Sequence, residues 1–210
     1  MATLPGAAFD DFAAGTPSMD FIFGAAGNDL VDGGDGGDFL FGDAGGDLML
    51  GGDGDDLLLG EAGQDALLGE AGDDVLLAGE GDDFVIGGSG ADVLIGGAGE
   101  DVLVGGSDGD VLHGGAGDDL LHGGAGDDVF LFSGGGGQDV ILDFSAGSDM
   151  LQILRNVNGT GIAAPEDLIG RVHDTEFGAT IDLGEGDSVT LANVGAEDVK
   201  ADPSAYVSIV

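Results

Sequence analysis

The sequence predicts an all-β chain wound into a right-handed parallel β-roll. This is a two-sheet β-helix of nonapeptide repeats, closed by a small C-terminal region. Three observations predict it. From Gly24 to Leu131 the chain divides without a gap into twelve nonads. Position six is Asp in every one: Asp29, Asp38, Asp47, Asp56, Asp65, Asp74, Asp83, Asp92, Asp101, Asp110, Asp119 and Asp128. Position eight is always apolar, from Val31 through Leu40 and Met49 to Phe130.

Each part of the nonad has a physical reading. Glycines at positions one, two and four allow φ > 0 and close backbone approach, so the first six residues predict a tight turn. Positions seven to nine, such as LLL at 57–59 or VLI at 93–95, predict a three-residue strand. One strand and turn reverse the chain and a second pair returns it, so two nonads make one coil. Residue i then stacks on i+18, with coils about 4.8 Å apart, and seven coils from Gly6 give a roll about 34 Å long. Position eight points inward from both sheets as a thin aliphatic core. A single coil cannot bury that face alone, so stability comes from stacking.

The ends are less regular. GAAFDDFAA from Gly6 and GTPSMDFIF from Gly15 keep the Asp (Asp11, Asp20) but lose the Gly at position four, and 1–23 is read as an N-terminal cap. After a two-residue insertion, GGGGQDVIL from Gly134 resumes the pattern with Asp139. The repeat decays through 143–153, so 24–152 is the expected roll and 153–210 a C-terminal region. In that region APEDLIGRV (164–172) predicts a short helix with Pro165 in its first turn. TIDL (180–183) and SVTL (188–191) predict a hairpin.

Charge sets a condition on this fold. The chain carries 42 acidic and 3 basic residues, a formal charge of −39, and Arg155 is its first basic side chain. Such a surface repels nucleic acid and anionic lipid and attracts cations. Stacking at i+18 brings position-six carboxylates about 5 Å apart. They cannot stay ionised and close without a cation between them. Hard, flexible oxygen sites suit Ca²⁺ better than Mg²⁺, which demands strict octahedral geometry. Zn²⁺ has no thiolate, because there is no cysteine, and no clustered histidine. His113 and His122 fall on opposite sheets and cannot share a metal.

The nonad resembles the RTX (repeats-in-toxin, hemolysin-type) calcium-binding repeat, G-G-x-G-x-D-x-U-x, over about residues 6–152. The resemblance implies a ligand set. One turn gives the carbonyls of positions two and four plus its Asp; the turn 18 residues on gives the carbonyls of positions one and three plus its own Asp. One site is then Gly52, Gly54 and Asp56 with Gly69, Ala71 and Asp74. Positions two and four of later turns supply Gly88, Gly90, Gly97, Gly99, Gly115 and Gly117. Twelve good turns in two columns give about ten ions. Asp139 is a further candidate, and Asp108 at position four departs from the pattern. Position-five acids such as Asp55, Asp73, Asp82, Asp118 and Asp127 are read as solvated.

The resemblance also implies export by type I (ABC-transporter) machinery through an uncleaved C-terminal signal, hence a secreted, extracellular protein. MATLPGAAFDDFA has neither the basic nor the apolar region of a cleaved signal, which agrees. No apolar run reaches the about 18 residues of a transmembrane helix. HExxH is absent and no G-x-S-x-G nucleophile elbow appears, GGSDG at 105–109 being part of a repeat, so no enzyme is expected.

Positions seven and nine should face solvent yet are largely apolar, with Phe21 beside Phe39 and Phe23 beside Phe41. A tail at 150–210 folding over one sheet would leave the other bare. A self-associating structural or surface protein is therefore expected. The alternatives are an interaction module for a membrane or partner protein, or a non-catalytic part related to RTX proteases and lipases.

Overall fold

A computed structural model describes residue 1 and residues 3–210. Among them nearly all regular structure is β, in a ten-stranded and an eleven-stranded sheet. Strands of successive nonads fall in opposite sheets, and each pairs in parallel with the strand one coil away. Phe39 lies against Leu57, Leu40 against Leu58 and Phe41 against Leu59, which is the i+18 register. The all-β parallel roll expected from the nonads is thus the fold.

The core is the position-eight column. Ile22, Val31, Leu40, Met49, Leu58, Leu67, Leu76, Val85, Leu94, Leu103, Leu112, Leu121 and Phe130 are all fully buried. A buried aliphatic or aromatic side chain of this size is worth about 1.5–3 kcal/mol.

Two local expectations need correction. The strands are six residues long rather than three, as in Leu57–Ala62 or Val93–Ala98. They run on through positions one to three of the next nonad, because those backbone groups also pair between coils. Nor do all three turn glycines need left-handed backbone. Positions two and four have it, as at Gly52 (φ 110) and Gly54 (φ 134), but position one does not. Gly51 is glycine for want of space instead. A methyl there would stand 2.5 Å from Asp56 Oδ2 and 2.7 Å from the Gly69 carbonyl oxygen. Ala78 is the chain's one exception at that position, and it is fully buried.

The tail lies over neither sheet. It prolongs both at the C-terminal end of the roll. Asp187–Ala192 pairs in parallel with Gln138–Ile141, and Val207–Ile209 with Met150–Ile153. Gly178–Gly184 and Asp187–Ala192 form the expected hairpin, and Val172–Asp174 adds to its outer edge. The expected helix is a 3-10 turn, Pro165–Leu168, begun by Pro165 and by Asp167 accepting from the Ala163 and Ala164 N–H groups. The α-helix among the described residues is Ala196–Ala201. No described helix is long and apolar enough to cross a membrane.

Candidate metal centre

Every position-six aspartate from Asp29 to Asp128, with Asp139 after them, is buried, at most 4% exposed. The turn that precedes each strand folds its carboxylate under the backbone, because position one, Ala78 excepted, carries no side chain to stand in the way. The carboxylates form two columns. In one, the Asp38 N–H donates to Asp56 Oδ1 at 2.6 Å and the Asp56 N–H to Asp74 Oδ1 at 2.8 Å. In the other, the Asp47 N–H donates to Asp65 Oδ1 at 2.8 Å, and the column ends with Asp119 N–H on Asp139 Oδ1 at 3.0 Å.

That bond uses one oxygen of each carboxylate. The second, Oδ2, is buried without a hydrogen-bond partner at Asp29, Asp38, Asp47, Asp56, Asp65, Asp74, Asp83, Asp92, Asp101, Asp110 and Asp119. Buried polar atoms are almost always satisfied, and one left bare costs about 1–3 kcal/mol. Eleven in register is a donor set awaiting an acceptor of oxygen lone pairs. A cation fits. A neutral donor would have to recur at every turn, and the turns carry none.

Backbone oxygens converge on the same places. Beside Gly51, Asp56 Oδ2 meets the carbonyl of Gly69 from the next coil. Beside Gly60, Asp65 Oδ2 meets the carbonyl of Ala78. Positions two and four aim the other way. The carbonyl oxygen 18 residues earlier lies against the point where a Cβ would stand on Gly52, Gly88, Gly97 and Gly115, and likewise on Gly54, Gly90, Gly99 and Gly117. A Cβ at any of these would fill the space. The Ala71 carbonyl points back toward the earlier coil and accepts the Gly54 N–H at 2.7 Å, leaving one lone pair. No cluster of three or more His, Cys, Asp or Glu among the described residues is placed to hold a metal by side chains alone. Carbonyls must supply most of any ligand shell, which favours Ca²⁺ with its 6–8 oxygens.

The electrostatics agree. Burial, with like charges along the column adding to it and the backbone N–H opposing it, pushes Asp56, Asp101 and Asp110 up to about 7. The same causes push Asp65, Asp74, Asp92 and Asp119 to about 6 and Asp139 to about 8. A positive partner beside each carboxyl would offset this and hold the columns fully ionised at neutral pH.

The column ends are built differently. Asp11 Oδ2 accepts the Ala7 N–H at 2.5 Å, and Asp149 Oδ2 accepts the Ser145 N–H at 2.7 Å. Asp20 accepts both the N–H and the hydroxyl of Thr16, at 2.6 and 2.8 Å. Asp149 was not legible as a column member, since 21 residues separate it from Asp128, to whose N–H it bonds through Oδ1 at 3.2 Å. The only signal was the SAGSD echo of the turn at 145–149.

Position-five acids form a separate, exposed ladder. Asp55 accepts the Asp73 N–H at 3.1 Å, Asp73 the Ala91 N–H at 2.9 Å and Asp118 the Gln138 N–H at 2.8 Å. Asp108, with φ 79, keeps the left-handed geometry of position four without glycine. His113 bonds Ser133 Oγ at 3.1 Å and His122 pairs with Asp143 at 2.7 Å, on opposite sheets.

Comparison with curated proteins gives no match. Among solved structures, the extracellular lipase LipA from Serratia marcescens superposes with a TM-score of 0.50 at 22% identity. That match covers 95% of this chain and 40% of the lipase chain, and at this identity it speaks for the fold. The family model of the RTX calcium-binding nonapeptide repeat (4 copies) matches residues 5–40, 41–76, 68–103, 77–112, 95–130 and 104–141. Those matches run over the turns whose carboxylate and carbonyl oxygens converge, and the chain belongs to the RTX family of calcium-binding repeat proteins.

Proposed function

We propose that this is a secreted protein that folds on about ten Ca²⁺ ions outside the cell and there serves as a self-assembling structural or surface protein. The observation that carries the reading is the row of eleven buried, unpartnered Oδ2 atoms. Each is a binding site in the coiled state and not in the extended chain. An ion that binds only the folded form stabilises it by about 2.7 kcal/mol per site at a hundred times its Kd. In a calcium-poor cytosol the charge of −39 keeps the chain open for passage through a type I ABC transporter. Outside, ion binding becomes folding free energy. In this reading 1–23 caps the roll, 24–152 binds calcium, and 153–210 caps its far end and carries the export signal.

The outer faces supply the assembly surface. Phe21 and Phe39 stack with ring centroids 4.6 Å apart, and Phe23 and Phe41 at 4.8 Å. Leu57, Leu59, Val75, Leu77, Val93 and Ile95 carry that face on along the roll, and on the other face Leu48 and Phe84 are 40% and 43% exposed. Contiguous apolar surface rimmed by polar residues marks interaction sites. The acids sit at the turns, along the rims, where calcium neutralises them. Replacing Phe39 and Phe41 with Ser should leave the calcium-induced circular dichroism spectrum in place and lower the holo-protein's mass by light scattering. A clean monomer of the unaltered protein in saturating Ca²⁺ would contradict the assembly role.

A further inference from the structure

Where the roll meets its tail, a cavity of about 10 Å³ is closed by Gly115, Ser133, Gly136, Asp139, Leu183 and Asp187. That is room for a single water-sized species. Asp139 is 4% exposed and lines this cavity. Its Oδ1 takes the Asp119 N–H. Its Oδ2 takes no hydrogen bond and lies 3.1 Å from the point where a methyl on Gly136 would stand, with the Gly115 carbonyl oxygen also 3.1 Å from that point. Two oxygens from successive coils therefore converge here, as in the central turns.

The third group comes from outside the repeats. Asp187 begins the second strand of the tail hairpin, 50 residues beyond Gly137. Its Oδ2 accepts from the Gly135 N–H at 2.5 Å and the Asn158 side-chain amide at 2.7 Å. Its Oδ1 takes a long bond, 3.3 Å, from the Gly137 N–H, and the Gly136 N–H also faces the carboxylate. The tetraglycine turn and Asn158 thus hold the carboxylate at the cavity wall with one oxygen still lightly used. Two carboxylates beside one buried cavity repel unless something positive lies between them.

We infer that a further calcium ion binds in this cavity, held by Asp139, Asp187 and the Gly115 carbonyl, and that it clamps the C-terminal hairpin to the end of the roll. The inference rests on the calcium-folding reading above, and it adds one ion to those between the regular repeats. It also gives the tail a calcium-dependent attachment separate from folding of the roll.

Native mass spectrometry of the full chain in saturating Ca²⁺ counts ions one by one. Asp187→Asn should bind one fewer than the unaltered chain, and Asp139→Asn the same. The double variant should lose no more than either alone, because both act on one ion. Hydrogen exchange of residues 178–192 should speed up about tenfold in Asp187→Asn while the strand Leu57–Ala62 stays protected. An unchanged ion count in Asp187→Asn would overturn the inference and leave Asp187 as a staple in the glycine turn. Should that variant not fold, the unaltered chain gives the answer as Ca²⁺ is lowered. Loss of protection at 178–192 before the central strands supports the clamp, and loss of both together overturns it. Asp92→Asn is the control: if it too loses no ion, the calcium-folding reading itself has failed.

Discussion

Gly54→Ala should lower the unfolding midpoint of the calcium-loaded protein by about 6–12 °C, the shift expected for about 3 kcal/mol in a chain of this size. Gly54 holds φ 134, a backbone conformation closed to residues with a Cβ. A methyl there would also stand 2.5 Å from the Gly36 carbonyl carbon and against its oxygen. The coil can relieve the clash only by moving carbonyls of two successive turns, and those are the oxygens assigned to calcium. The cost therefore falls on conformation and ion binding together. Position two behaves differently, since Asp43, Glu61 and Glu70 already occupy it with φ between 72 and 78. Gly170→Ala, where nothing lies within 4 Å and the backbone is ordinary, should leave the midpoint unmoved. Equal midpoints for Gly54→Ala and Gly170→Ala by calorimetry would show that the turn geometry is wrong.

Acid should substitute for calcium. Burial raises these column carboxyls to about 6–8 in the coiled state, against the ordinary aspartate value of 3.8. Without calcium the coiled state binds more protons than the open chain between these values. Its stability is therefore fully present below about pH 4 and is lost as pH rises through 6–8. The calcium-free protein should gain β-structure on going from pH 7.5 to 4 and lose it on return. The calcium-loaded protein should hold its spectrum across the same range at its neutral end, with calcium binding releasing protons. A calcium-free spectrum that does not change between pH 7.5 and 4 would contradict the buried column.

What the sequence made legible was the part written in repetition. The i+18 register, the inward position eight and the buried position-six aspartates all follow from one nine-residue sentence, because each coil sees the same neighbours as the last. The strand lengths were not legible, since positions two and three look like turn residues and pair only because the coil above does the same. The reason for glycine at position one was also hidden. It lies in the Asp Oδ2 folded beneath it, a tertiary fact with no local signature. Asp149 and Asp187 were missed because insertions break the period ahead of them. The tail's course was beyond pattern reading for a related reason: TIDL and SVTL announce a hairpin, but nothing in them says that Ser188–Leu191 will pair with Gln138–Ile141.

The central claim is that at neutral pH the columns of buried carboxylates coil only around calcium. Far-UV circular dichroism of the full chain, titrated with Ca²⁺ from EDTA at pH 7.5, tests it most directly. The expected result is a disordered spectrum in EDTA, a cooperative passage to β-structure in millimolar Ca²⁺, and no such passage with Mg²⁺ at the same concentration. A calcium-free spectrum at pH 7.5 that already matches the calcium-loaded one would contradict it.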